Sequence, residues 1–241
     1  MAQPGIQRRG EKFIANRERS DEFWRVSFEG IKQPFYYPWD ASWVDLCQTA
    51  DESFNPSNWH YFTFGNTPVA SDDVVVDCGA AEGLFTFCVA GIAKKVFAIE
   101  PIPKWHNALC KTFENQENVE IKKCGIGYRK ETLKMSNEEI RSKVSASGDL
   151  EVPFETLDSL FLDGEEKITF IKADIEGFEF QMLLGATELI RKCRPKISIT
   201  VYHDQNHHLQ IADFLQGLQP DYRIHYRGIA QNGNPILLQA Y

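Results

Sequence analysis

Long apolar runs are missing from this sequence. No stretch reaches the roughly 18 consecutive apolar residues that a membrane-crossing helix needs, so no transmembrane segment is expected. The opening stretch "MAQPGIQRRGEKFIANRERSDEF" is polar and charged. It lacks the apolar core of a secretory signal, which points to a cytoplasmic chain. An excess of positive charge is missing too: 26 Lys and Arg stand against 34 Asp and Glu, for a net charge of −8. Nucleic acids and anionic membranes need a concentrated basic face, so neither is an expected partner. Paired cysteines are missing. The six present (Cys47, Cys78, Cys88, Cys110, Cys124, Cys193) form no C-x-x-C, and several sit in apolar runs. They read as buried free thiols in a reducing cytoplasm, not as a zinc site or a disulfide framework. There is no internal repeat and no low-complexity tract.

What is present is enough for a substantial core: 241 residues, 43% hydrophobic and 12% aromatic. That length fits one large domain with an appendage. Residues 1–20 read as a mobile or helical arm, and residues 21–70 as irregular and aromatic-rich, with Pro34, Pro38 and Pro56 breaking any long helix. From Val74 the texture changes to short apolar strands alternating with helical patterns. Strands are expected at Val74–Val76, Val96–Ile99, Val119–Lys122, Ile168–Ala173 and Lys196–Tyr202. Helices are expected over Leu84–Lys94, from Pro103, and over Glu179–Lys192. Another carries the apolar face Ile211, Phe214, Leu215, Leu218, at i, i+3, i+4, i+7. "DYRIHYR" alternates as a half-exposed strand, "QNGNP" marks a turn, and Ile236–Leu238 is the last strand.

This alternation predicts a doubly wound α/β fold with a mostly parallel seven-stranded sheet and one antiparallel strand at the C-terminal end. The expected division is an N-terminal arm and cap over 1–57 and a main domain over 58–241. A polar insertion at about 125–157, holding extra strands and loops, should lie near the carboxyl ends of the strands, where such sheets bind ligands.

The stretch "VVVDCGAAEGLFTF" follows the first strand of that rhythm. A P-loop would require Lys and Ser/Thr after Gly83, and neither is there. A dinucleotide loop wants a middle glycine where Ala81 stands, and Asp77 and Glu82 would repel a pyrophosphate. S-adenosylmethionine fits better, because it is cationic and carries no phosphate. Asp77, Gly79 and Gly83 match a D-x-G-x-x-x-G glycine turn, and Glu100 ends the next strand where an acid accepts ribose hydroxyls. An acid at that place also serves NAD proteins, so Glu100 alone does not discriminate. Cys78, Ala80 and Pro101 flank these positions and join the expected cofactor contacts. Two further rims agree: "KADIEGFEF" puts Asp174 and Glu176 past the fourth strand, and "ITVYHD" puts His203 past the fifth.

With these segments in order, the chain resembles the FkbM-type methyltransferase family. "VVVDCGAAEGLF", "VFAIEPIP", "FETLDSL", "FIKADIEGFEFQMLLGA" and "RPKISITVYH" carry the resemblance from about Asn58 to the C-terminus. It implies a class I, Rossmann-like fold and S-adenosylmethionine-dependent methylation, usually on oxygen. Acceptors in such a family are natural products and sugars of surface glycans. The chain departs from the usual pattern at Ala81 and Glu82.

Oxygen methylation needs an aligned acceptor and a group that takes its proton. His203 and Asp174 are the expected catalytic pair, with Asp174 also near the cofactor. A strand-end histidine satisfied by a neighbouring carbonyl is the competing reading of His203. Glu176, His60, Tyr37 and Trp39 are the expected acceptor contacts, the aromatic residues walling the pocket or simply covering the sheet. A divalent metal on Asp174, Glu176 and His203 is compatible with the residue types, but no spacing is diagnostic of one, and no metal ligand is assigned. The expected partner is a small-molecule or glycan acceptor, and a homodimer stays open. Two other functions compete: a non-catalytic methyltransferase-like subunit and an NAD-dependent oxidoreductase.

Overall fold

The computed structural model describes residues 4–136 and 142–241. Residues 1–3 of the expected arm and 137–141 of the expected insertion lie outside the described residues. The chain opens with helix α1 (Pro4–Glu11) and three antiparallel strands, β1 (Ile14–Ser20), β2 (Phe23–Phe28) and β3 (Phe35–Pro38), in the order β1-β2-β3. Helix α2 (Trp43–Phe54) follows, capped by Ser42 Oγ, which accepts from Asp45 N at 3.3 Å. The reading of 21–70 as irregular therefore holds for residues 55–70 and for the short links between these elements, and the arm becomes a strand at Ile14. The sequence "IANRERS" hides this strand. It lies at a sheet edge, exposed along its middle, and so shows no apolar alternation. Backbone pairing with β2 is what makes it a strand.

The small sheet is not a loose cap. Val26, Phe28, Phe35 and Tyr37 are buried on its inner face. Phe28 and Phe35 both meet Phe87 of the main domain, at 5.7 and 5.4 Å between ring centres.

The main domain begins with β4 (Val74–Cys78), α3 (Leu84–Ala90), β5 (Lys95–Ile99), α4 (Pro103–Thr112) and β6 (Val119–Lys122). The insertion folds as β7 (Gly125–Ile126), β8 (Glu131–Met135), β9 (Leu150–Glu155) and α5 (Leu157–Phe161). Then come β10 (Phe170–Ala173), α6 (Glu179–Leu184), α7 (Thr187–Cys193), β11 (Lys196–Thr200), α8 (His207–Leu218), β12 (Ile224–Arg227) and β13 (Leu237–Ala240). The seven-stranded sheet has the order β12-β13-β11-β10-β4-β5-β6. Only β13 runs against its neighbours. The winding reverses between β4 and β10, so the ligand crevice opens at their carboxyl ends.

One helix was expected over 179–192, and two are found. A Cβ at Gly185 would overlap Gly127 O, so this position closes against the insertion, and the helix breaks there. Asp158 of α5 then accepts from Glu188 N and Leu189 N at 3.1 and 2.7 Å, which restarts the chain as α7.

Asp73 fastens the amino ends of the central strands. It accepts from Ala70 N at 2.7 Å, Thr169 Oγ1 at 2.7 Å and Lys196 Nζ at 2.6 Å. Burial favours its protonation, but these donors outweigh burial and hold the carboxyl below its usual range. A depressed carboxyl stabilises the fold above its unfolded pKa of about 3.9, and the contribution disappears as pH falls through the folded value. Asp73→Asn is expected to cost about 1.5–3 kcal/mol at neutral pH. In urea titrations, the gap to wild type should narrow below about pH 4; a gap independent of pH would refute the charge-based account.

Candidate active site

Two loops, after β4 and after β10, build the site at the switch point. After β4 the chain turns through Gly79 (φ 71°), Ala81 (φ 47°) and Gly83 (φ 94°). A Cβ at Gly79 would overlap Asp174 O, so the loops after β4 and β10 touch at this glycine. Past β10, Glu176 holds φ 54° without being glycine, a strained backbone of the kind found at functional sites.

Two cavities meet here. The first lies under the insertion and is walled by Ile99, Ile102, Trp105, Phe154 and Phe178, with Glu100 and Pro101 at one side. The second lies toward α2 and holds Glu52, His60, Glu82, Lys172 and Tyr202. Gly79, Ala81, Asp174 and Glu176 line both. The insertion sits over the carboxyl ends as expected, since Met135 and Val144 also face the first cavity.

Glu100 is buried, and its two oxygens accept from Ala81 N at 2.9 Å and Ile102 N at 2.8 Å. Burial pushes its carboxyl up to about 7 despite these bonds. The indole Nε1–H of Trp105 is buried without a partner.

Asp77 does not face either cavity. Its carboxylate is fully buried, paired with Lys172 Nζ at 2.9 Å, and accepts from Thr86 Oγ1 at 2.7 Å. Lys172 also donates to Gly79 O at 2.8 Å, tying strand β10 to the glycine turn. Burial works against this ammonium, but Asp77 and Asp174 outweigh it and hold its pKa above the usual range. The expected repulsion of anions by Asp77 is thus cancelled by a buried lysine that the sequence reading missed. The signal was available: a lysine inside the apolar strand "FIKA" cannot stay buried unpaired.

Other expected contacts also move. Cys78 is buried within β4, and Gly83 caps α3 against Leu109; neither lines a cavity. Ala80 and Glu82 line the second cavity, not the first. Burial raises Glu82 to about 7, and neighbouring Glu52 is raised for the same reason. Tyr37 does not wall a pocket. Its ring packs on Trp105 at 5.6 Å, and its hydroxyl donates to Ser42 O at 2.8 Å. Trp39 is 48% exposed beside the Arg19 guanidinium and lines none of the described cavities. His60 does line the second cavity, 3.6 Å from Glu52 and edge-on to Tyr202.

Asp174 and His203 come together as expected, with Oδ1 and Nε2 3.8 Å apart. His203 itself stands behind Asp174 and lines neither cavity. Burial disfavours its cation, but Glu179 at 3.2 Å, with Asp174 and Glu176, outweighs burial and pushes its pKa up to about 9. A histidine so placed lines neither space that an acceptor would occupy. This corrects the expectation that it is the direct base, and its neighbours are carboxylates, not the carbonyl of the competing reading.

The strand order, the glycine turn, the acid ending β5 and the carboxylates past β10 define a class I, Rossmann-like methyltransferase fold. The family model described as "Methyltransferase FkbM domain" matches residues 77–224, and the chain belongs to that family. A crystal structure of methyltransferase FkbM from Methylobacillus flagellatus KT is 23% identical, with a TM-score of 0.61, over 84% of this chain and 55% of that one. This chain therefore spans about half the length of that relative. Fibrillarin from Aeropyrum pernix, solved with natively bound S-adenosyl-L-methionine, is 11% identical with a TM-score of 0.49, over 95% of this chain and 99% of that one. No curated protein matches the sequence. Among the described residues no helix is long and apolar enough to cross a membrane.

Proposed function

We propose that this chain transfers the methyl group of S-adenosylmethionine to a hydroxyl oxygen of a sugar, a glycan or a small natural product. One observation carries the reading. A largely apolar cleft that suits a nucleoside meets a polar cavity at Asp174, and the two share that carboxylate. The residues present fit the cofactor. Glu100 offers acceptor oxygens for the ribose diol, and Trp105 offers a buried donor with no protein partner. Gly79 and Ala81 line the cleft with little side chain, and Asp174 and Glu176 suit a cationic ligand. Bound S-adenosylmethionine supplies a methyl group on a positively charged sulfur, which keeps the electron pair of the broken C–S bond. Asp174 takes the acceptor's hydroxyl proton as the oxygen bonds to the methyl carbon. Glu52, Glu82 and His60 orient the acceptor's remaining polar groups, and α2 excludes water from above. Free thiols at all six cysteines support a reducing compartment.

Calorimetry with S-adenosylmethionine, S-adenosylhomocysteine and NAD tests the cofactor half. Binding of the first two and not of NAD is expected, and the reverse would sink the reading. Glu100→Gln should weaken S-adenosylhomocysteine binding by about 1.5–3 kcal/mol, roughly ten- to a hundredfold. Unchanged affinity in a folded variant would remove Glu100 from the site. Labelled cofactor with fractionated extracts, read by mass spectrometry, identifies the acceptor and the methylated atom.

A further inference from the structure

His203 reaches from the end of β11 to a cluster of carboxylates beneath the junction of the two cavities. Its Nε2 lies 3.8 Å from Asp174 Oδ1 and 3.5 Å from Glu176 Oε2, and its Nδ1 lies 3.2 Å from Glu179 Oε1. Asp174, Glu179 and His203 each offer one ligand atom, all within 4.8 Å of one another. The His203 side chain is only 10% exposed, yet neither ring nitrogen is in hydrogen-bond geometry with a protein group. Glu179 is fully buried, and its Oε2 also has no hydrogen-bond partner. Glu179 Oε2 faces His207 Nδ1 at 3.8 Å, so the atom left aimed at Asp174 and Glu176 is His203 Nε2, and a buried polar atom without a partner points to a missing ligand.

We propose that Asp174, Glu176 and His203 hold a divalent metal cation, with Glu179 behind the imidazole as its orienting group. Three carboxylates facing one imidazole leave the cluster short of positive charge. Ligands about 2.1 Å from one ion lie roughly 3.0–3.5 Å from each other. The observed separations of 3.5 and 3.8 Å therefore need only slight closure. A small turn of the ring would bring Nδ1, now 3.2 Å from Glu179 Oε1, into a hydrogen bond and direct the Nε2 lone pair toward the ion, as metal-bound histidines require. Glu179 is held in place for this, because its Oε1 accepts from Ile175 N at 3.0 Å. The mixed oxygen and nitrogen set suits Mn²⁺ or Mg²⁺. The cation would anchor the two carboxylates that line both cavities and brace the strained turn at Glu176. This inference stands apart from the methyl-transfer reading, because ion binding requires neither cofactor nor acceptor.

The test uses the full chain, stripped with EDTA and titrated with Mn²⁺ while the free-ion signal is followed by electron paramagnetic resonance. One bound equivalent per chain is expected, together with a rise in melting temperature. Glu176→Gln should weaken binding at least about tenfold, and His203→Gln likewise. Glu176 is 27% exposed at its side chain, so its variant should fold even if the histidine variant does not, and circular dichroism checks that. Failure of folded wild type to bind millimolar Mn²⁺ would overturn the proposal. So would a folded Glu176→Gln that binds as tightly as wild type.

Discussion

Asp174→Asn is expected to slow methyl transfer by roughly 10²–10⁴-fold, the usual loss when a general base is removed. The side chain keeps its size and loses only the charge that receives the proton. Asp174 lines both the nucleoside cleft and the polar cavity, so it is at hand where the methyl group must cross. Its Oδ1 accepts from Thr200 Oγ1 at 3.0 Å, which fixes the carboxylate's direction. S-adenosylhomocysteine affinity should change far less than the rate, because Glu100, Trp105 and the other cleft walls are untouched. Single-turnover rates at saturating cofactor, set beside calorimetric affinities, separate the two effects. A rate within a few-fold of wild type would move the base elsewhere, and Glu82 is then the first candidate, since burial already raises it to about 7.

Lys172→Met should be the most destabilising single change at the site. It leaves the Asp77 carboxylate buried and without its cation. Breaking one partner out of a buried pair costs about 3–5 kcal/mol, a large share of the roughly 5–15 kcal/mol that holds a typical fold. For a chain of this size, the melting temperature should fall by roughly 6–20 °C. The glycine turn should loosen as well, because Gly79 O loses its donor. Adding Asp77→Asn should restore part of the loss, since the stranded charge is then gone. Thermal melts of both single variants and the double variant give the coupling energy. A Lys172→Met variant that melts with wild type would show that the pair contributes nothing net.

The central parallel strands were legible because both faces are covered, so β4 and β5 appear as short apolar runs ending in a glycine turn or an acid. The Val119–Lys122 strand and the start of the helix at Pro103 agree residue for residue with expectation. The N-terminal sheet was not legible. Its edge strand has no buried face, and prolines obscure β3. The expected helix over 179–192 carried a continuous apolar pattern, and nothing local says that Gly185 must close against Gly127.

For the site, the sequence by itself determined which residues stand at the carboxyl ends of strands. That follows from chain order and strand period, which are local properties. Glu100, Asp174, Glu176 and the glycine turn were placed that way, and so was the family. Only the tertiary structure decided where each charge points and what neutralises it. Asp77 and Glu82 are five residues apart in "DCGAAE", yet one turns inward to Lys172 and the other into the polar cavity. Lys172 is 95 residues from Asp77, and His203 is 24 residues from Glu179. Coulomb energy and desolvation depend on distance through space and on burial, and neither is written along the chain.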